Sequence, residues 1–158
     1  MNTKINFQGK ILSKSEKILI VVSRFNSDIT EKLLKGTEKR LLELGIHQAD
    51  IDVIIVPGAI EIPVVTALMA SQNKHAAIIC LGAVIRGETS HYDYVCGQVS
   101  DGCARISLET KKPIVFGILT TENEAQAYER LGGNHSHKGY EFAETAIEMI
   151  QVINALRQ

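Results

Sequence analysis

The chain carries almost no net charge, since 17 Lys and Arg stand against 18 Asp and Glu and leave −1. A mainly electrostatic attraction to nucleic acid or to an anionic membrane is thereby excluded. Long hydrophobic runs are missing as well. The longest nearly apolar stretch, Ala76 to Ile85, is about half of the ~20 residues that cross a bilayer. The first residues, MNTKINFQGKILSKSEK, have no hydrophobic region ahead of a small-residue cleavage site and do not read as a signal peptide. No membrane partner, no nucleic-acid partner and a cytoplasmic location are the expectations. Cysteine is scarce: Cys80, Cys96 and Cys103 are an odd set without a CxxC pair, which speaks against a disulfide framework or a zinc site. Free cysteines behave as small buried hydrophobes, so reduced structural thiols are expected. No linker, internal repeat or low-complexity tract interrupts the chain.

What is present is a soluble-globular balance over 158 residues, 45% apolar and 22% charged. That is about the size of one domain, 1–158, able to bury roughly two thirds of its unfolded surface. The pattern alternates β-branched runs with helical periods. Lys17 to Ser23 reads as a strand, closed by the turn and cap residues Arg24 to Asp28. A helix follows, with Ile29, Leu33, Leu41 and Leu44 on one face and Gly45 as its stop. Ile51 to Val56 is the second strand, closed by Pro57-Gly58, and Glu61 to Gln72 the second helix, with Pro63 in its first turn. Ala76 to Leu81 is the third strand, Gly82 to Thr89 a loop, and Ser90 to Glu109 a helix with Tyr92, Val95, Val99, Cys103 and Ile106 in register. Pro113 opens a fourth strand, Ile114 to Leu119; a short helix, Glu122 to Leu131, stops at Gly132-Gly133. The last helix, Lys138 to Leu156, carries the stripe Phe142, Ala146, Ile150 and Ile153. Continuous apolar strands mean burial on both faces. Together with the strand–helix alternation they predict an α/β three-layer sandwich: a four-stranded parallel sheet flanked by helices, flavodoxin-like in arrangement.

Such sheets bind ligands beyond the carboxyl ends of their strands, which directs attention to 23–28, 57–61, 82–91 and 116–121. Ser90 and Asp93 fit a capping box that would put His91 in the first turn of a helix. Amides at a helix start favour an anion, so the backbone around Gly87 to Ser90 could hold a phosphate. The same dipole end disfavours a charged imidazole and suits His91 to accepting a proton; a capped helix with a surface histidine is the plainer alternative. Glu61 could accept hydrogen bonds from substrate hydroxyls or simply favour a helix start. Phe25 could stack on a planar ring or plug the sheet edge. Arg130 and Lys138 flank the turn LGGNHSH and are candidates for gripping an anion or a carbonyl, or solvated charges. His135 and His137 lack a carboxylate or Cys partner at supporting spacing, so no metal site is expected. His47 and His75 read as surface loop residues.

Taken together, Ser23-Arg24-Phe25-Asn26, Val56-Pro57-Gly58-Ala59-Ile60-Glu61-Ile62-Pro63, Leu81-Gly82-Ala83-Val84-Ile85-Arg86-Gly87, Thr89 with His91-Tyr92-Asp93-Tyr94, Phe116 to Thr121, and Glu129-Arg130 with Lys138-Gly139 closely resemble the lumazine synthase family. They occur in the family's order, and the resemblance covers nearly the whole chain from about residue 5. It implies pentamers in which an N-terminal arm, 1–14, adds a strand to a neighbour's sheet. The implied activity condenses 5-amino-6-(ribitylamino)uracil with 3,4-dihydroxy-2-butanone 4-phosphate, giving 6,7-dimethyl-8-ribityllumazine and phosphate in the penultimate step of riboflavin biosynthesis, without metal or organic cofactor. Carried over, Phe25 stacks on the pyrimidine, while Asn26, Ala59, Ile60, Glu61, Val84 and Ile85 line the ring and ribityl pocket. His91 shuttles protons. Gly87, Glu88 and Thr89 hold the phosphate with Arg130, and Phe116, Arg130 and Lys138 arrive from the adjacent subunit. The short turn between Arg130 and Lys138 is compatible with a sixty-subunit shell of twelve pentamers, as with pentamers or decamers, and riboflavin synthase is an implied partner. Two positions depart from the family: Ile60 stands where an aromatic is common, and Glu88 puts a carboxylate beside the phosphate loop, where it must point outward or pair with a cation.

Other classes fit less well. A related riboflavin synthase type shares the fold but matches fewer of these motifs. A non-catalytic flavin- or lumazine-binding or shell-forming protein would not need both a proton shuttle and a phosphate grip. A flavodoxin-like electron carrier would have a Ser/Thr/Gly-rich loop where Arg24-Phe25-Asn26 stands, and a receiver domain would end its third strand in acid rather than Leu81-Gly82.

Overall fold

A computed structural model of the protein describes residues 3–133 and 136–158. In chain order its elements are β1 (Ile18–Ser23), α1 (Ser27–Glu43), β2 (Ile51–Val56), α2 (Ile62–Ser71), β3 (Ala77–Ile85), α3 (His91–Thr110), β4 (Ile114–Thr121), α4 (Glu124–Glu129), β5 (Leu131–Gly133), β6 (Ser136–His137) and α5 (Lys138–Leu156). Strands β1 to β4 form one parallel sheet in the order β2-β1-β3-β4, and β5 with β6 makes a small hairpin. The three-layer α/β sandwich is the architecture that the strand–helix alternation predicts.

The period-two geometry of a strand sorts its residues between two cores. Ile18, Ile20 and Val22 of β1 and Ala77, Ile79 and Leu81 of β3 face α1, α4 and α5, where Leu33, Leu41, Ala127, Ala146 and Ile147 meet them. Leu19, Val21, Ile78 and Cys80 face α2 and α3, against Ile62, Ala70, Val95, Val99 and Ile106. Each fully buried aliphatic side chain contributes about 1.5–3 kcal/mol of apolar transfer. All three cysteines are free. Cys80 and Cys103 hydrogen-bond across β3 and α3, and that bond together with complete burial holds the Cys80 thiol well above its ordinary value; it is an inert core group.

The structure corrects a strand boundary and the burial of one strand. The third strand runs to Ile85, well into the stretch that its glycine marks as loop, because β4 pairs with it up to Ile85↔Thr121. Gly82 is there for space: a β-carbon on it would stand 3.0 Å from Ser23 Oγ and 3.1 Å from Ile118. The second strand is not buried on both faces. It is an edge, and Ile55 is 63% exposed. Residues 3–17 form no helix or strand; the Leu12 amide donates to the Leu44 carbonyl at 3.2 Å, and Gln151 Nε2 donates to the Ile11 carbonyl at 3.3 Å, laying the segment across the end of α1 and onto α5. Gly45, at φ 101°, ends α1 as expected.

His75 is not a surface residue. It is only 4% exposed, with Nε2 at 2.6 Å from Asp52 Oδ2 of β2, and its carbonyl accepts from Lys112 Nζ. A residue just ahead of a central strand is buried by its neighbours, a fact that loop composition does not report. The bond to His75 holds the Asp52 carboxyl below the usual carboxylate range. His47 does lie on the surface. His75→Ala is therefore expected to lower unfolding stability by about 1–3 kcal/mol, because it leaves a hole and an unpaired carboxylate, while His47→Ala stays within about 0.5 kcal/mol; urea denaturation of the two variants measures the difference.

Candidate active site

At the carboxyl end of the sheet the strands hand over to loops whose backbones remain tied together. The amides of Arg24 and Phe25 donate to the carbonyls of Val56 and Pro57 at 2.9 and 3.1 Å, extending the β1–β2 ladder past the strand ends. On the other side the Arg86 amide donates to the Thr121 carbonyl at 2.9 Å. Between them stands Asn26 in the left-handed region, at φ 61° and ψ 49°, where it caps the start of α1. Its side-chain Nδ2 donates to the Ala83 carbonyl at 3.0 Å, joining the exit of β1 to β3. Asn tolerates this backbone better than most residues.

These exits surround a cavity of about 420 Å³. Its walls bring together ten of the residues singled out from sequence: Phe25, Asn26, Ala59, Ile60, Glu61, Val84, Ile85, Gly87, Thr89 and His91. Phe25 is 70% exposed and so does not plug the sheet edge; its ring is a free face at the mouth. Ile60, Val84, Ile85 and Val95 supply an apolar wall. Glu61, at the start of α2, folds back so that its Oε2 lies 3.1 Å from where a β-carbon on Gly58 would be. A side chain at position 58 would crowd that carboxylate. His91 is the first residue of α3, and its amide donates to Thr89 Oγ1 at 3.3 Å.

The start of α3 differs from the expected capping box. Ser90 is the cap residue, but its side chain makes no cap bond. The Asp93 carboxylate turns instead to the Arg86 guanidinium, at 3.3 Å, and Arg86 Nε pairs with Glu122 at 2.6 Å. A guanidinium with two carboxylate partners outcompetes a serine amide as a target for Asp93. Arg86 also lies over the Tyr92 ring, 4.2 Å from its centroid. Both residues stand in the motifs that carry the resemblance, but the sequence gives neither a role in the site. Tyr92 also belongs to the apolar stripe of α3, yet it lines the cavity, and burial pushes its phenol up, leaving it a protonated donor. The signal was there: Tyr92 follows His91 in the same first turn, on the cavity side.

Four expected residues stand apart. Glu88 is exposed and is not part of the cavity wall. Phe116, on the edge strand β4, is 39% exposed and lines a separate apolar groove of about 720 Å³ between β4, α5 and the end of α3. The Arg130 guanidinium donates to the Gln126 carbonyl at 2.8 Å, and Lys138 Nζ pairs with Glu141 at 2.9 Å. Both cations belong to the far turn, joined by the Lys138 amide donating to the Arg130 carbonyl at 2.8 Å. His135 lies outside the described residues.

Chemically, the cavity offers an aromatic face, an apolar wall for a flat ring, a carboxylate to accept hydroxyls, and an imidazole with a hydroxyl at a helix start suited to an anion. A family model described as 6,7-dimethyl-8-ribityllumazine synthase matches residues 15–154. The match takes in nearly all of the chain, and the chain belongs to that family, whose members are transferase-type enzymes of riboflavin biosynthesis.

Asn26 gives a direct check on the rim. Asn26→Ala puts an ordinary side chain into the left-handed region and removes the bond to Ala83, for an expected loss of about 1–3 kcal/mol. Asn26→Gly keeps the backbone at ease and loses only the bond. Thermal or urea unfolding should therefore rank the glycine variant between the alanine variant and the parent.

Proposed function

We propose that this chain condenses 5-amino-6-(ribitylamino)uracil with 3,4-dihydroxy-2-butanone 4-phosphate to give 6,7-dimethyl-8-ribityllumazine, inorganic phosphate and two waters. What carries this proposal is the meeting, in one cavity, of the free Phe25 face, the Glu61 carboxylate and the Thr89–His91 helix start, in a chain of this family. Phe25 stacks on the pyrimidine, and Glu61 accepts ribityl hydroxyls. Asn26, Ala59, Ile60, Val84 and Ile85 enclose the ring. The phosphate sits at the start of α3 on the backbone of Gly87 and Glu88 and on the Thr89 hydroxyl, with an arginine completing the grip.

In the reaction, the 5-amino group attacks the ketone, and the carbinolamine loses water to give an imine. Elimination then breaks the C–O bond to phosphate. The enol that elimination leaves tautomerises to a new ketone at the carbon beside the imine, and the ribitylamino nitrogen attacks that ketone and loses the second water to close the ring. Each step moves a proton between nitrogen, carbon and oxygen, and His91 accepts and returns it. No step asks for a metal or an organic cofactor. A positioned acid–base group contributes about 10²–10⁴-fold, whereas holding two reactants together contributes up to ~7–11 kcal/mol of barrier.

The functional unit in this proposal is a cytoplasmic homo-oligomer, a pentamer in which Phe116, Arg130 and Lys138 of one copy complete the cavity of the next. In support, these three side chains lie away from the cavity of their own chain, and β2 leaves Ile55 uncovered at an open edge. The N-terminal arm, 1–14, is the segment offered to that edge in a neighbour. Such pentamers stand alone, pair as decamers or close in twelves into a sixty-subunit shell, and riboflavin synthase is the proposed partner.

A two-substrate assay that follows lumazine fluorescence and phosphate release together, with the spontaneous condensation subtracted, tests the activity. Equal amounts of both products above background are expected; lumazine binding without turnover would instead make this a binding or shell protein. His91→Ala should be slower by about 10²-fold or more but not inactive, because orientation survives it. Shared sites are tested by co-refolding His91→Ala with Arg130→Ala in equal amounts. Random mixing restores both groups in about a quarter of sites if each is built from two copies, and in none if each chain is self-sufficient.

A further inference from the structure

The Arg130/Lys138 turn is seated on the body of the molecule through one side chain that the function above leaves unused. His137 is the cap residue of α5, and its Nδ1 accepts the Gly139 amide at 3.1 Å. An imidazole that accepts at Nδ1 keeps its proton on Nε2. The ring stacks on Tyr140, with centroids 4.7 Å apart and planes 14° from parallel. On its other side it fills the space above Gly36 of α1, where a β-carbon would collide with it. Gly139 is equally tight: a β-carbon there would stand 2.7 Å from the Leu33 carbonyl, and Thr37 Oγ1 donates to the Gly139 carbonyl at 3.2 Å. The backbone of Gly139 therefore lies directly on α1, and the histidine ring, seated over Gly36, is the wedge that sets the contact beside it. Lys138 follows this ring directly, and its amide carries the bond to the Arg130 carbonyl.

We propose that His137 is a positioning residue for the Arg130/Lys138 turn, holding it only while the imidazole is uncharged. A second proton would go on Nδ1, remove the acceptor for the Gly139 amide, and set a positive charge at a helix N-terminus, where the dipole repels it. Among the described residues, the charged and titratable groups around the ring are Lys39 on α1 and Lys138, Tyr140 and Glu141 on its own helix, with Glu141 taken up by Lys138; β5 has none. Burial and then the Lys39 charge lower the pKa of His137. The sign follows: the opened turn takes up its proton near the ordinary histidine value of about 6.5, the seated ring only below it, so the seat weakens as pH falls through that interval.

The consequence for catalysis rests on the roles of Arg130 and Lys138 proposed above, so the test has two readouts. Hydrogen–deuterium exchange of peptides covering 136–145, corrected for intrinsic rates, is compared at about pH 7.5 and 5.5 on the assembled protein. Protection is expected to fall in acid for the parent, to hold for His137→Asn, which still accepts the Gly139 amide but cannot titrate, and to fall at a higher pH for Lys39→Gln. Protection that ignores pH in the parent would overturn the proposal without any need for a variant. In the turnover assay, KM for the phosphate-bearing substrate should rise by about tenfold more in the parent than in His137→Asn over the same range, with kcat moving alike in both; substrate titrations cancel in that comparison. An exchange effect with no difference in KM would limit His137 to a structural cap and refute the positioning role. If the parent shows no turnover at all, the proposed reaction fails, while exchange still decides whether the uncharged ring holds the turn.

Discussion

Four consecutive residues of β1, Ile18 to Val21, are shut off from solvent, covered by α1 and α5 on one side and by α2 and α3 on the other. A strand covered on both faces can pair only with strands treated alike or with edges, and β3 beside it is equally enclosed from Ala77 to Leu81. Parallel pairing through right-handed crossovers then sends every helix back over the sheet and every carboxyl end to the same side. The cavity exists because that one packing requirement brings the exits of β1, β2 and β3 to a common rim.

The rim is stiffened by polar bonds rather than by further apolar burial. Backbone amides of Arg24, Phe25 and Arg86 continue the ladders beyond the strands, and Asn26 reaches across to Ala83. Arg86 ties the start of α3 to the β4 exit through Asp93 and Glu122. Cross-linked backbone of this kind ties together the loops that carry Thr89 and His91 and the exit that leads to Glu61. The opposite corner of the molecule is built otherwise. There α5 is pressed on α1 through Gly36 and Gly139, and the seat of the turn depends on a single imidazole.

Edges show the same economy. β2 and β4 flank the sheet, and each leaves large apolar side chains open, Ile55 on one and Phe116 on the other. Open edges with exposed aliphatic and aromatic groups invite another chain. The cavity at the strand exits and the groove beside β4 share no lining residue, so one chain keeps Phe116 apart from Phe25 and His91.

Much of this was legible before any coordinates. The β-branched runs, the caps and Gly45 determine four strands and their helices, because a period of two or of 3.6 is a local property of side-chain direction. The strand-end rule likewise directs attention to Phe25, Glu61, Thr89 and His91. What the order of residues could not disclose is contact between distant segments. His75 looks like a loop residue and lies buried on Asp52; Ser90 and Asp93 look like a capping box until Arg86 claims the aspartate. Phe116, Arg130 and Lys138 carry the right chemistry but stand outside the cavity of their own chain. Local sequence determined the elements and the candidate groups. Tertiary packing alone decided which polar partners are taken, which faces remain open and which groups share a cavity, because those depend on distances between residues far apart in the chain.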